Sequence, residues 1–431
     1  MRLLSLLIAC FLSCLPFSDS FAQERAAALD VRAAAREAIS WHPSITEAAA
    51  RLKQQEQQVY VAKAAYYPQI TGGIGTGYDS VTTNRWRPRA NLGISQRIWD
   101  FGKLSHEVAS ERAGVRASRA QILLAVDAIA RDTSYSVVEV LRGMALLDVA
   151  REQFTSVLAI NRLVEARYNR GAATRSDALQ AQSRVDAAQS SILQIEAELR
   201  RWQSNLAYLL GREKTPNVVA EALAVFGGAC QSRDVNWPRV PLIMQADSRR
   251  EQALADLRRT RAERYPTISL GAGVGTEIRD PFVDRRTDYN VGLNVSTSLF
   301  DGGATRASAR GADFALEAAE AALGSARLEA TRLLAESREQ VAALNQRLDT
   351  LEERQQKMGQ TKALYRLQYL EMGTRTLVDL LNAEQELGQV RFDAVNSRFD
   401  LHRLGIDCFY TMGELRHVLD LEDMTIEGVG L

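Results

Sequence analysis

Beyond its N-terminus the chain has no run of about 18 apolar residues, so no transmembrane helix is available to it. Any membrane span would have to be a β-barrel. Net charge is missing too: 53 basic side chains balance 53 acidic ones in 431 residues. A neutral chain has no whole-molecule attraction for nucleic acid. Histidine is scarce, and His42, His106, His402 and His417 have no metal-ligand spacing. No Ser/His/Asp or Cys/His grouping stands out, so no enzyme chemistry and no cofactor are expected. Asp100-Phe101-Gly102 has the letters of the kinase magnesium loop, but neither a Gly-rich phosphate cover nor a catalytic loop accompanies it. Gly73-Ile74-Gly75-Thr76-Gly77 is followed by strand-like sequence, not by the helix a nucleotide-binding turn requires.

Cysteine is nearly absent. Two of the four, Cys10 and Cys14, fall in an N-terminal stretch that reads as a secretory signal over 1–22. Arg2 supplies the positive start, Leu3 to Leu15 the apolar core, and Ser20-Phe21-Ala22 the small-x-small cleavage site, giving a mature start at Gln23. A lipoprotein start at Cys10 or Cys14 is the alternative. Cys230 and Cys408 then remain, and an exported compartment permits a disulfide between them. Two separate buried thiols are the other reading, since sequence does not show proximity.

Proline and glycine are sparse over two long stretches. From Lys103 to about Arg167 there is no proline, only Gly114 and Gly143 interrupt, and apolar residues recur at Val108, Val115, Ile122, Ile129, Val137, Val140, Leu141 and Leu147. This predicts one helix roughly 97 Å long with a narrow apolar stripe, packed as coiled coils pack. Gly171 ends it, and Thr174 or Ser176 is the expected N-cap of a second helix running from about Asp177 to Leu210.

Ahead of the long helix the period changes from 3.6 to 2. Ile70, Gly72, Ile74, Thr76 and Tyr78 alternate with Thr71, Gly73, Gly75 and Gly77, and a turn-like segment follows from Asp79 to Pro88. Ala90, Leu92, Ile94 and Ile98 then alternate with Asn91, Gly93, Ser95 and Arg97. The pattern starts again after an irregular segment. Tyr265-Pro266 answers Tyr67-Pro68, and Ile268, Leu270, Ala272, Val274 and Thr276 alternate with small or polar residues. So do Tyr289, Val291, Leu293, Val295 and Leu299. Asp301-Gly302-Gly303 answers Asp100-Phe101-Gly102 as a strand-exit turn, and Gly373 answers Gly171.

The chain is therefore a tandem duplication. The first copy spans 23–211 with a hairpin at about 67–99. An irregular linker covers 212–240, the second copy 241–413 with a hairpin at about 265–300, and a tail 414–431. Each copy is helix, β-hairpin, very long helix, break, helix.

Each hairpin has one greasy and one small or polar face. Tyr66, Tyr67, Tyr78, Trp86, Trp99, Tyr265, Phe282, Tyr289 and Phe300 lie at or near the strand ends, where outer-membrane barrels carry aromatic girdles. A small sandwich with one face packed inward is the alternative, but it gives no reason for aromatics at both ends. Four strands are too few to close a membrane barrel, so several copies must combine. Two chains would give eight strands and three would give twelve.

Gly373-Thr374-Arg375-Thr376-Leu377-Val378-Asp379-Leu380-Leu381-Asn382-Ala383 resembles the signature of TolC-family outer-membrane channel proteins. So do the Tyr-Pro strand starts, the Asp-Phe-Gly and Asp-Gly-Gly exits, and Tyr168-Asn169-Arg170-Gly171 leading to Asp177. The resemblance covers both halves. It implies a homotrimer in outer-membrane lipid, with a twelve-stranded barrel above a long α-helical periplasmic tunnel. A periplasmic adaptor would join it to an inner-membrane pump. The chain is most similar to members serving type I protein secretion, including agglutination and adhesin exporters, whose pump is an ABC transporter. Small-molecule efflux with a proton-driven pump is the second reading. A periplasmic coiled-coil structural or adhesive protein is the third.

The resemblance also implies a gate at the helix tips, marked by Gly171 and Gly373. Asp177 and Arg375 match residues that hold the closed state, and Ser176 stands for a gate threonine. Asp379 matches an acidic ring. Asn382 stands where a second acid is usual, and Leu370 stands at the gate tyrosine position, with Tyr369 one residue off. Independently, copies of one carboxylate around an axis make a constriction that favours cations. One ring in place of two predicts weaker cation selectivity. A helix N-terminal carboxylate favoured by the dipole is the other reading of Asp379, and a plain solvated charge that of Arg375.

Overall fold

The computed structural model describes residues 29–79, 85–214, 216–231, 235–277 and 287–431. The signal at 1–22 with Cys10 and Cys14, the start at Gln23, Phe282 and the side chain of Trp86 lie outside the described residues. The first half runs α1 (Val31–Trp41), α2 (Pro43–Ala64), β1 (Gln69–Asp79), β2 (Arg85–Trp99), α3 (Lys103–Tyr168) and α4 (Arg175–Leu210). The second runs α5 (Pro241–Ala262), β3 (Thr267–Glu277), β4 (Thr287–Ser296), α6 (Ala304–Leu367) and α7 (Leu377–Met412). It closes with α8 (Leu415–Val418) and a small hairpin of β5 (Thr425–Ile426) and β6 (Val429–Gly430).

The two rods have 66 and 64 residues, about 99 and 96 Å at 1.5 Å per residue. Each starts on the same device. Asp100 accepts from the N–H groups of Gly102 (3.0 Å) and Leu104 (2.9 Å), and Asp301 from those of Gly303 (2.9 Å) and Thr305 (2.8 Å). These bonds satisfy donors that a helix start leaves free. Gly102 and Gly303 take φ near +90°, which glycine adopts without cost. Phe101 is also left-handed (φ 57°) where its counterpart is Gly302. Its ring stacks on Tyr265 at 5.2 Å and meets the edge of Trp99 at 6.0 Å, contacts that offset the strain.

The four long strands form one antiparallel sheet in the order β1-β2-β3-β4. Two boundaries differ from the sequence reading. The segment up to Pro88 is not all turn: β2 starts at Arg85, and Pro88 pairs with Thr76. It lies beyond Arg89↔Glu277, the last β2–β3 pair, where among the described residues β2 has β1 alone as partner, a place that tolerates a missing N–H. Leu299 falls outside β4, because β3 begins at Thr267 opposite Ser296 and offers nothing to pair with further along.

α3 is the central rod. Leu52, Ile122, Val126, Val137, Leu206, Ile406 and Leu415 are fully buried in the main cluster around it. α6 is different, with only Leu323, Ala330, Leu334 and Leu351 buried. The linker holds it in place by strapping across the helices. Leu29 donates to the Asn217 carbonyl (2.7 Å), Leu223 and Phe226 enter the main cluster, and Gly405 leaves room on α7 for the Phe226 carbonyl. Cys230 and Cys408 are joined by a disulfide with Cα atoms 5.5 Å apart. Its pocket includes Leu334 of α6 and Met412 of α7, and Arg338 of α6 donates to the Cys230 carbonyl at 3.2 Å.

The tail is more ordered than its weak sequence pattern implies. Leu415, Leu419 and Leu421 are fully buried. Arg32–Asp420 (2.6 Å), Arg36–Asp423 (3.0 Å) and Lys53–Glu427 (2.7 Å) tie it to α1 and α2. These exposed pairs contribute about 0–1 kcal/mol each. The buried pair is Arg416 with Asp127 of α3. Burial pushes the Asp127 carboxyl up to about 6, against the opposing pull of Arg416.

Two expectations follow from these anchors. Replacing Cys230 and Cys408 together by serine opens a link spanning 178 residues and should lower stability by about 2–4 kcal/mol, read from denaturant midpoints. An unchanged midpoint contradicts the strap's role. For Asp127 the folded value lies above the unfolded one, so the folded chain holds this proton more tightly. Wild type should therefore gain stability relative to Asp127→Asn as pH falls from about 7 to 5. A constant difference in melting midpoint across that window argues against it.

Candidate functional site

Register places the paired apolar residues on one face; Ile98, which the sequence reading put with them, lies inside a register shift and is in none of these pairs. Ile70 lies opposite Ile94, Leu92 opposite Val274, Leu270 opposite Leu293, and Ile268 opposite Val295. This face is exposed: Ile74 shows 81% of its surface and Val291 74%. A soluble monomer rarely exposes an apolar patch of this kind, which marks a lipid or partner surface. No described helix is long and apolar enough to cross a membrane.

The other face is paved. Asn91 lies opposite Gly73 and Asn290 opposite Gly273, and each amide lies so close that a Cβ on the glycine would crowd it. Glycine there gives the amides room and is not set at a turn. Among the described residues, cations near this face include three with partners: Arg89 with Asp288 (3.5 Å), Arg97 with Asp100 (3.2 Å), and Lys103 with the Tyr265 carbonyl (2.7 Å).

Aromatics gather at both ends. Tyr66, Tyr67, Trp99, Phe101 and Tyr265 are exposed where strands meet helices, and Tyr78 and Tyr289 near the far end. Phe101 is an addition to the sequence reading. A shift in register between Arg97 and Trp99 puts Trp99 opposite Ile268, on the apolar face.

At the opposite end of the rods, Gly171 (φ 72°) and Gly373 (φ 63°) turn the chain. Each following helix opens with a capping box. Thr174, rather than Ser176, is the N-cap of α4: its Oγ1 accepts the Asp177 N–H (3.2 Å), and the Asp177 carboxylate accepts the Thr174 N–H (3.1 Å). Ser176 shares a hydrogen bond with the Thr174 hydroxyl at 2.7 Å. Thr376 and Asp379 repeat these bonds at 3.2 and 3.1 Å, with the Thr376 hydroxyl donating as well at 2.9 Å. Backbone and side-chain bonds from Thr376 hold the Asp379 carboxyl below its usual range, so it stays ionised. Asn382 is exposed one turn on.

Arg375 lies over the Tyr365 ring, 4.5 Å from its centroid, and its Nε donates to Gln368 (3.3 Å). Among the described residues no ion pair joins Arg375 to Asp177 within the chain. The sequence reading missed a π-helical turn, Gln368–Met372, between α6 and Gly373. It buries Tyr369 and leaves Leu370 half-buried at the motif's tyrosine position. No sequence signal marks that turn.

The outer membrane efflux protein family matches residues 34–212 and 239–403. The chain belongs to that family. This places it in the outer membrane, in a family of export channel proteins. It is 26% identical to protein CyaE of Bordetella pertussis over 316 residues, covering 68% of this chain but 64% of CyaE, less than two thirds of its length. It is 25% identical to the outer membrane efflux protein BepC of Brucella suis over 388 residues, 82% of this chain and 78% of BepC. The fold matches the crystal structure of the outer membrane protein VceC from Vibrio cholerae with a TM-score of 0.77 at 20% identity, over 89% of this chain and 96% of that one.

The capping boxes make a local prediction. Thr376→Ala should cost the start of α7 about 1 kcal/mol, seen as roughly fivefold faster amide exchange over 377–380. Unchanged exchange there would mean that the cap bond contributes nothing.

Proposed function

We propose that three copies of this chain close their sheets into one outer-membrane barrel, and that the protein is a passive export duct. The observation that carries this is the sheet itself. It is apolar on one exposed face and polar on the other, has two free edges, and sits on helices about 100 Å long. The apolar face meets lipid and the amide-paved face lines water. The helices extend the duct into the periplasm, where a periplasmic adaptor and an inner-membrane transporter supply recruitment and energy.

The reading extends to cargo. The chain's similarity, within the family, to members serving type I protein secretion supports polypeptide export with an ABC transporter. Export of small molecules with a proton-driven pump is the second reading, supported by the efflux named in BepC. The capped ends of α4 and α7 serve as the gate. Copies of Asp379 form its acidic ring, and with Asn382 in place of a second acid the cation preference is weak.

Deleting the gene decides between cargoes. Loss of one large secreted polypeptide with unchanged drug sensitivity is the expected result. Intact secretion with new sensitivity to small toxic compounds would transfer the protein to efflux.

A further inference from the structure

We infer that the free edge of β4 meets β1 of the next copy in one register, the register that the β2–β3 seam already shows inside the chain. Thr297–Phe300 becomes strand only in that seam, and the seam between copies lacks the bolt that closes the seam within the chain. The inference rests on the barrel reading above.

The two hairpins repeat each other residue by residue. The β1–β2 ladder ends at Gln69↔Ser95 and the β3–β4 ladder at Thr267↔Ser296. Gln69 and Thr267 each follow a Tyr-Pro pair, and Ser95 and Ser296 stand equally far before Asp100 and Asp301. Beyond those ladder ends the halves differ. β2 continues to Trp99, because β3 pairs with it from outside the hairpin at Gln96↔Leu270, Arg97↔Ser269 and Trp99↔Ile268. Thr297–Phe300 is the equivalent stretch, and its outer neighbour is another chain. Here it has no ladder, and Leu299 and Phe300 are 94% and 90% exposed. It wants a partner, not strand-forming sequence.

Equivalence carries the β2–β3 register over to the seam between copies. Leu92↔Val274 becomes Leu293 opposite Thr76 of the next copy. Ile94↔Ala272 becomes Val295 opposite Ile74, and Trp99↔Ile268 becomes Phe300 opposite Ile70. Gly93↔Gly273 becomes Asn294 opposite Gly75. Gly75 has open space around it within the single chain, whereas Gly73 and Gly273 already have their amides. A slip of one residue would turn the apolar side chains to the polar face. A slip of two would move α6 about 7 Å along the strand against the next copy, and rods that start on the same Asp turn would then stand at different heights.

The bolt is Lys103. It donates to the Tyr265 carbonyl (2.7 Å) and the Thr267 hydroxyl (2.8 Å), and Phe101 stacks on the same Tyr265. The equivalents of Lys103 and Phe101 are Ala304 and Gly302, which would face Tyr67 and Gln69 of the next copy. Alanine and glycine carry neither the cation nor the ring. Ladder bonds alone hold that end of the seam, so copies part there before the β2–β3 seam opens.

The test oxidises paired cysteines in the full-length protein in outer-membrane vesicles. Asn91↔Gly275 carries over to Gly292 opposite Gly77, two glycines with open space around them. β1 and β4 are opposite edges of one sheet, so a disulfide between them joins different chains. Gly77→Cys with Gly292→Cys should give covalent oligomers on a denaturing gel, since opposed Cα atoms lie within disulfide reach. Gly75→Cys with Gly292→Cys should not, because diagonal neighbours are about 7–8 Å apart. Amides of 297–300 should exchange at least about tenfold more slowly in the assembled particle than in separated chains. Ala304→Lys should raise the temperature at which copies separate. Cross-linking of the Gly75 pair and not the Gly77 pair overturns the register and leaves the barrel standing, as does silence from both pairs in a particle of several chains. Fast exchange over 297–300 in the particle overturns the strand extension, and an unchanged separation temperature in Ala304→Lys overturns the missing bolt. Silence from both pairs in a particle of one chain overturns the barrel reading and the seam with it.

Discussion

Backbone hydrogen bonding in hydrocarbon governs this molecule. In lipid an unpaired N–H or carbonyl costs several kcal/mol, so a sheet survives there only when closed on itself. The chain supplies four strands in the order β1-β2-β3-β4, so β1 and β4 each have one neighbour. The family places the protein in the outer membrane. Oligomerisation follows from those three statements, and with it the division of labour between the two faces. Apolar residues face outward because the pleat has period 2. On the polar face Gly73 and Gly273 leave room for the amides of Asn91 and Asn290.

The helices answer a different demand. A coiled pair about 100 Å long has little core per residue, and α6 buries only four side chains along its length. The strap and the tail concentrate order at mid-height. The disulfide, the close approach at Gly405, the three buried tail leucines and the Asp127–Arg416 pair all lie there. Below this belt the tips depend on small clusters, capping boxes and two Arg–Tyr stacks. A structure firm at the waist and lightly held at the tip suits a gate at the tip, since segments that move are drawn from the low-stability end.

Much of this was legible in the sequence, for physical reasons. Period-2 alternation fixed the faces, and the duplication showed that each motif served twice. Gly171 and Gly373 marked breaks because both take a positive φ that other residues resist. Asp100 and Asp301 were legible as turns because each appears at the same place in its half. What escaped reading depends on packing. Pro88 reads as a turn residue, yet it sits in a strand where, among the described residues, only one neighbour is present. The tail leucines lack a periodic run because they fill gaps between other helices. The π turn leaves no mark on composition, so the one-residue offset of Tyr369 looked like a mismatch with the motif.

Counting chains per particle in detergent, by light scattering or native mass spectrometry, tests the closed barrel most directly. Three chains per particle is the predicted result. A stable single chain whose β1 and β4 amides resist exchange would contradict it, because the free edges would then be satisfied without a second copy.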